Sequence, residues 1–97
     1  MKVRYLPRAA ADLVAIADYL TERNPSAARA VDAAIRKSVD LLSAFPASGR
    51  TLTQRPGVRV MPLARYPYLV FYTVSVDELL ILHIRHGARA PIAPDDF

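Results

Sequence analysis

The spacing of apolar and polar residues changes period along the chain. Val3 and Tyr5 alternate with Lys2, Arg4 and Leu6, the period-2 pattern of a short strand. Pro7 stops it and suits the first turn of a helix. Leu13, Ile16, Ala17 and Leu20 then recur at helical spacing, with Asp12, Asp18 and Glu22 off that stripe. This predicts an amphipathic helix over about residues 8–22. Asn24-Pro25 supplies an N-cap and an N1 proline for a second helix. Its stripe is Ala28, Val31, Ile35, Val39 and Leu42, and Phe45-Pro46 ends it. So short a link predicts an antiparallel helical hairpin.

Residues 46–57 carry two prolines and two glycines in twelve positions and read as loop. Beyond them the period returns to 2. Strands are expected over 58–63, 68–74 and 79–85, with Val76-Asp77-Glu78 as the last turn. Tyr68–Val74 is β-branched and aromatic, as in a central strand. Three strands on short turns make an antiparallel meander. Residues 88–97 form a proline-containing tail.

The expected fold is α+β, ordered β-α-α-β-β-β. The hairpin packs on one face of a mainly antiparallel sheet, because each helix has one apolar stripe and the sheet needs one face covered. The first strand joins the meander. No repeat or linker divides residues 1–97, so one domain is expected. The uncovered face is expected to be concave, basic and the working surface, with Arg59, Arg65, Arg85 and Arg89 in or beside the meander.

Composition narrows the functional classes. The chain is 53% apolar and 23% charged, which is globular rather than disordered. It has no cysteine, so neither disulfides nor a thiolate metal site is expected; a reducing, cytoplasmic setting fits. The start lacks the apolar core of a secretion signal. The longest apolar runs fall far short of the roughly 20 residues that span a bilayer. The net charge is +4. An acidic partner, either nucleic acid or a negatively charged protein segment, would exploit that charge. Solubility would use it equally well. Eleven arginines against two lysines suit bidentate contacts to phosphate or carboxylate, and a GC-rich genome gives the same bias.

The residues also carry a resemblance from about Val3 to Pro91. Its pieces are Ala11-Asp12-Leu13 with Ile16 and Tyr19; Asn24-Pro25 with Ala27-Ala28; Pro46 and Gly49-Arg50; Gly57-Val58-Arg59; Pro67-Tyr68 before Val70 and Tyr72; and Ile84-Arg85-His86-Gly87-Ala88-Arg89. In this ordered set the chain resembles the RelE/ParE family of type II toxin–antitoxin toxins. The resemblance implies a toxin in a hetero-oligomer with a ParD-like or RelB-like antitoxin, and a fold using neither cofactor nor metal. Its two branches differ in target. RelE-like members cleave mRNA on the ribosome; ParE-like members poison DNA gyrase and cleave no RNA.

Cleaving RNA needs a base, cations at the crowded phosphate and an acid for the leaving oxygen. RelE-like nucleases supply these from basic residues on the central strands, an arginine after the last strand, and a C-terminal tyrosine or histidine. Here Leu69 stands where the strand arginine is typical, Val60 and Pro62 where basic residues are expected, and the tail after Arg89 has neither tyrosine nor histidine. If the chain is a nuclease, its candidates are Arg59, Arg65, His86 and Arg89, with His83 a further possible acid/base group. If it is a binding protein, they are Arg59, Arg65, Tyr68, Arg85 and Arg89. The departures favour the gyrase-poisoning branch, a protein that catalyses nothing, with the ribosome-dependent mRNA endonuclease as the alternative. Each residue also has an ordinary reading: strand-end or buried histidines, solvated arginines, cross-strand tyrosines.

Overall fold

The computed structural model describes residues 1–88. Its elements are β1 (Lys2–Tyr5), α1 (Pro7–Arg23), α2 (Pro25–Ala44), a 3-10 turn (Pro46–Ser48), β2 (Arg50–Thr51), β3 (Arg59–Pro62), β4 (Tyr68–Val74) and β5 (Glu78–His86). The sheet order is β1-β5-β4-β3-β2. The α+β fold expected from the periods is the fold observed, a helical hairpin on a mainly antiparallel sheet. β1 lies parallel to β5, with Lys2 opposite Glu78 and Tyr5 opposite Ile81. The expected loop over 46–57 contains one addition. β2 pairs with β3 through Arg50–Val60 and Thr51–Arg59; two residues are too few to show a period.

Asn24 serves both helices. Its backbone N–H donates to Leu20 O at 2.6 Å, closing α1, and its side-chain oxygen accepts from Ala27 N at 3.2 Å, opening α2. The helices cover one face of the sheet. Val31, Ile35, Val39 and Leu42 of α2 are buried against Val70 and Tyr72 of β4 and Leu79, Ile81 and Ile84 of β5. Strict alternation would put Ile81 and Ile84 on opposite faces. A β-bulge reconciles them: Phe71 pairs with His83 and Tyr72 with Ile81, so Leu82 is an extra residue and joins the other face.

The 3-10 turn is fastened to the same core. The buried Tyr72 hydroxyl donates to Pro46 O at 2.7 Å and accepts from Gly49 N at 2.9 Å. Only glycine fits at position 49, since a Cβ there would lie 2.7 Å from Tyr72 Cε1. No described helix is long and apolar enough to cross a membrane.

Candidate functional site

β5 outruns its parallel neighbour. β1 pairing stops at Ile81, and Leu6 N–H donates to Ile81 O at 2.9 Å as the chain turns into α1. The next edge donor of β5 is met from α1: Asp12 Oδ2 accepts from Ile84 N at 2.9 Å. The same oxygen lies 2.6 Å from His83 Nδ1. An ionised carboxylate only accepts, so Nδ1 is the donor. Arg8 Nε stands 3.6 Å from Asp12 Oδ1, one helical turn away. His83 is 2% exposed and stacks on Phe71 with ring centroids 5.8 Å apart.

Beside this staple a cleft of about 720 Å³ opens between the hairpin and the ends of β4 and β5. Ile16, Tyr19 and Leu20 of α1 face Tyr66, Tyr68 and His86 across it. His86 meets the Tyr68 ring edge-to-face at 5.4 Å. Its Nδ1 accepts from Ala88 N at 3.0 Å, leaving the ring proton on Nε2 when the imidazole is neutral. Burial, and then the neighbouring Tyr19, push the Tyr68 phenol pKa above its ordinary value.

The residues singled out from the sequence are distributed as follows. Tyr68, His86 and Arg85 all border the cleft. Arg85 also borders a shallow depression of about 140 Å³ on the opposite face, where Arg50 joins it. Arg59 lies elsewhere. It pairs with Tyr72, whereas His86 pairs with Tyr68; four residues of strand separate those positions by roughly 13 Å. The Arg59 guanidinium donates to Gly49 O at 2.7 Å and Ala47 O at 3.2 Å, so it ties down the 46–49 turn from the helix side of the sheet. Arg65 is exposed between β3 and β4, and Arg89 lies outside the described residues. The uncovered face is therefore less basic than expected: Arg50 and Arg85 flank an apolar strip of Leu52, Val60, Leu69 and Phe71.

Asp12 belongs to the site although its place off the apolar stripe suggested a solvent-facing residue. It follows Ala9 by three and precedes Ile16 by four, which sets it at the stripe's margin, and that spacing is the signal that finds it. Among the described residues no three His, Cys, Asp or Glu side chains cluster to hold a metal ion.

Comparison with known proteins places this geometry. The family described as the ParE toxin of type II toxin–antitoxin systems, parDE, matches residues 3–91. The chain is 39% identical over 84 residues to a Caulobacter vibrioides protein named Toxin RelE2, covering 84% of this chain and 90% of that one. It is 36% identical over 88 residues to the putative toxin Y4kP of Sinorhizobium fredii, covering 84% and 86%. Among solved structures, a chain of the chromosomal ParDE system from P. aeruginosa superposes with a TM-score of 0.77 at 32% identity, covering 89% of this chain and 95% of that one. The isolated E. coli RelE toxin superposes with a TM-score of 0.63 at 14% identity, covering 92% and 86%; at that identity the likeness is one of fold alone.

Proposed function

The chain belongs to the ParE toxin family of type II toxin–antitoxin systems, and on that premise we propose that it poisons DNA gyrase and is neutralised by a cognate antitoxin. The observation that carries the choice of target is the division of the candidate nuclease groups. A scissile phosphate needs its base, its charge stabiliser and its acid within reach of one point. Arg59 instead holds two loop carbonyls, His83 is buried against Asp12, and His86 caps Ala88 through Nδ1. Interference with gyrase asks for a binding surface and no such convergence. ParE-like toxins, which the chain resembles, act in that way.

The antitoxin part of the reading rests on the cleft. Its apolar and tyrosine walls, with Arg85 and His86 at one end, suit an acidic amphipathic segment that orders on binding. A partly apolar interface of this kind holds at high salt; complete dissociation of the pair in moderate salt counts against it.

The test uses purified toxin with purified gyrase on relaxed plasmid, alongside translating ribosomes carrying a defined mRNA. The expected result is lost supercoiling, restored by the antitoxin encoded beside the toxin, with intact mRNA. Codon-positioned mRNA cleavage with gyrase unaffected overturns the choice of target and returns the nuclease reading, for which Tyr68, Arg85 and His86 at one end of the cleft are the residues to vary.

A further inference from the structure

The wall that α1 gives to the cleft is one row of side chains. Asp12, Ala15, Ile16 and Tyr19 line it, at the i, i+3, i+4, i+7 spacing of a single helix face. Arg23 follows Tyr19 by four and continues the row to the end of α1. The chemistry changes along it. At one end the Asp12 carboxylate is engaged by Ile84 N, His83 and Arg8. The middle is apolar. At the other end the Arg23 guanidinium carbon lies 3.8 Å from the centroid of the Tyr19 ring.

Two contacts hold that guanidinium in place. Its Nη1 donates to Tyr19 O at 3.0 Å, and the cation lies over the ring face, where the π-system attracts it. A basic residue in the last helical turn accounts for the first contact. It does not account for the second, or for a tyrosine that is 54% exposed while forming part of a cleft wall. Tyrosine and arginine are the residue types that most often carry the energy of an interface. Glu22 lies 3.8 Å from Nη1 on a side chain that is 80% exposed. That is longer than a hydrogen bond, and a solvated pair of this kind competes weakly. A guanidinium has five N–H donors in a planar fork. Set beside an apolar wall, it suits a carboxylate delivered together with an apolar side chain.

We propose that Arg23, held on the Tyr19 ring, is a specificity-determining contact of the cleft: it takes a carboxylate of the antitoxin's acidic amphipathic segment, while an aliphatic side chain of that segment sits against Ile16 and Leu20. The contact sets the direction in which the segment lies, because the α1 wall is apolar in its middle and carries this cation at one end. Ile16 and Arg23 are seven residues apart, roughly 10 Å along the helix. A helical occupant alongside α1 therefore presents its aliphatic anchor and its carboxylate about seven residues apart. This assignment rests on the cleft being the antitoxin's seat, and it is independent of the choice between gyrase and ribosome.

The experiment titrates purified full-length toxin with the antitoxin encoded beside it, by calorimetry, and follows urea denaturation of each toxin variant alone. Ala15→Glu, at an exposed position of the same wall, tests whether the cleft is occupied at all, and it should abolish tight binding. Arg23→Ala should weaken binding roughly tenfold while its urea midpoint stays close to that of the parent chain, since the residue is solvated. Arg23→Lys keeps the charge, lacks the planar fork, and should still lose several-fold. Arg23→Glu should bind more weakly again. Replacing the antitoxin's carboxylates by lysine one at a time should restore that variant at one position, about seven residues from an aliphatic residue whose own replacement by alanine also weakens the complex. Arg23→Ala binding as tightly as the parent, with Ala15→Glu broken, overturns the role of Arg23 and leaves the cleft as the antitoxin site. Ala15→Glu binding as tightly as the parent overturns both. Failure of every lysine replacement to restore Arg23→Glu overturns the carboxylate contact.

Discussion

On the helix-covered side of the sheet twelve described residues form one buried cluster, whereas on the other side three do. The difference extends to the polar groups. On the covered side the Tyr72 hydroxyl lies between Pro46 O and Gly49 N, Arg59 holds loop carbonyls, and Asp12 accepts from Ile84 N at the edge of β5. On the other side Arg50 and Arg85 stand at the rim of an apolar strip. Both faces carry a buried cluster, and the larger lies under the helices. Arg59 serves the fold by holding loop carbonyls, so proximity to a sheet does not make an arginine functional.

The largest test of this asymmetry compares two neighbours across the bulge. Ile84, 2% exposed, faces the helices, and Leu82 faces away. Ile84→Ala should cost about 2–5 kcal/mol in urea denaturation. Leu82→Ala should cost about half as much, because its side chain keeps part of its surface in water. Against a usual total stability of about 5–15 kcal/mol, the first variant is at risk of unfolding. Equal losses would show that both faces carry the fold.

Next is the staple. Asp12→Ala removes the acceptor for two donors on β5, and an unsatisfied buried donor costs about 1–3 kcal/mol. Asp12→Asn keeps one acceptor oxygen and should lose less. Hydrogen exchange at Ile84 N–H should quicken in the Ala variant. If Ala proves no worse than Asn, the carboxylate is not what fastens α1 to β5.

These two tests fall on features of unequal legibility. The β-α-α-β-β-β order was readable because each element is long enough to show its period, and Asn24-Pro25 marks the hinge between the helices. The bulge was not. Leu79, Leu80, Ile81, Leu82, His83 and Ile84 are nearly all apolar, so alternation sets no parity, and packing against α1 and α2 decides it. β2 has two residues and no period at all. Tyr68, Arg85 and His86 were legible as candidates and do border one cleft. Arg59 read as a surface cation because its partners, Ala47 and Gly49, offer backbone carbonyls, which leave no trace in residue identity.

A smaller effect probes the cover alone. Asn24→Ala removes the side-chain cap of α2 and should cost about 1 kcal/mol, whereas Asn24→Gly should lose only a few tenths, since Gly is itself a tolerated cap. Neither variant should shift the methyl resonances of Val60 and Leu69 on the opposite face. Shifts there as large as those within α2 would mean the two faces are coupled through the sheet.

The smallest effect appears only in alkali and reports on the covered side. Tyr5 and Tyr68 both pack into the helix-side core. Burial is the largest cause of the raised phenol pKa at each. At Tyr5 the Arg36 charge partly offsets it, and Asp40 and Asp32 reinforce it; at Tyr68 Tyr19 reinforces it. A phenol whose folded pKa lies above the ordinary 10.0 ionises more readily in the unfolded chain. Its contribution to stability is therefore complete below pH 10 and is lost as pH climbs through the folded value. Urea midpoints measured at about pH 8 and about pH 10.5 should fall with pH, and the Tyr5→Phe/Tyr68→Phe chain should fall less, since neither ring can then ionise. The same drop in both chains would assign the alkaline loss to groups outside the helix-covered core, and would remove these two phenols as a reason for distinguishing one face from the other.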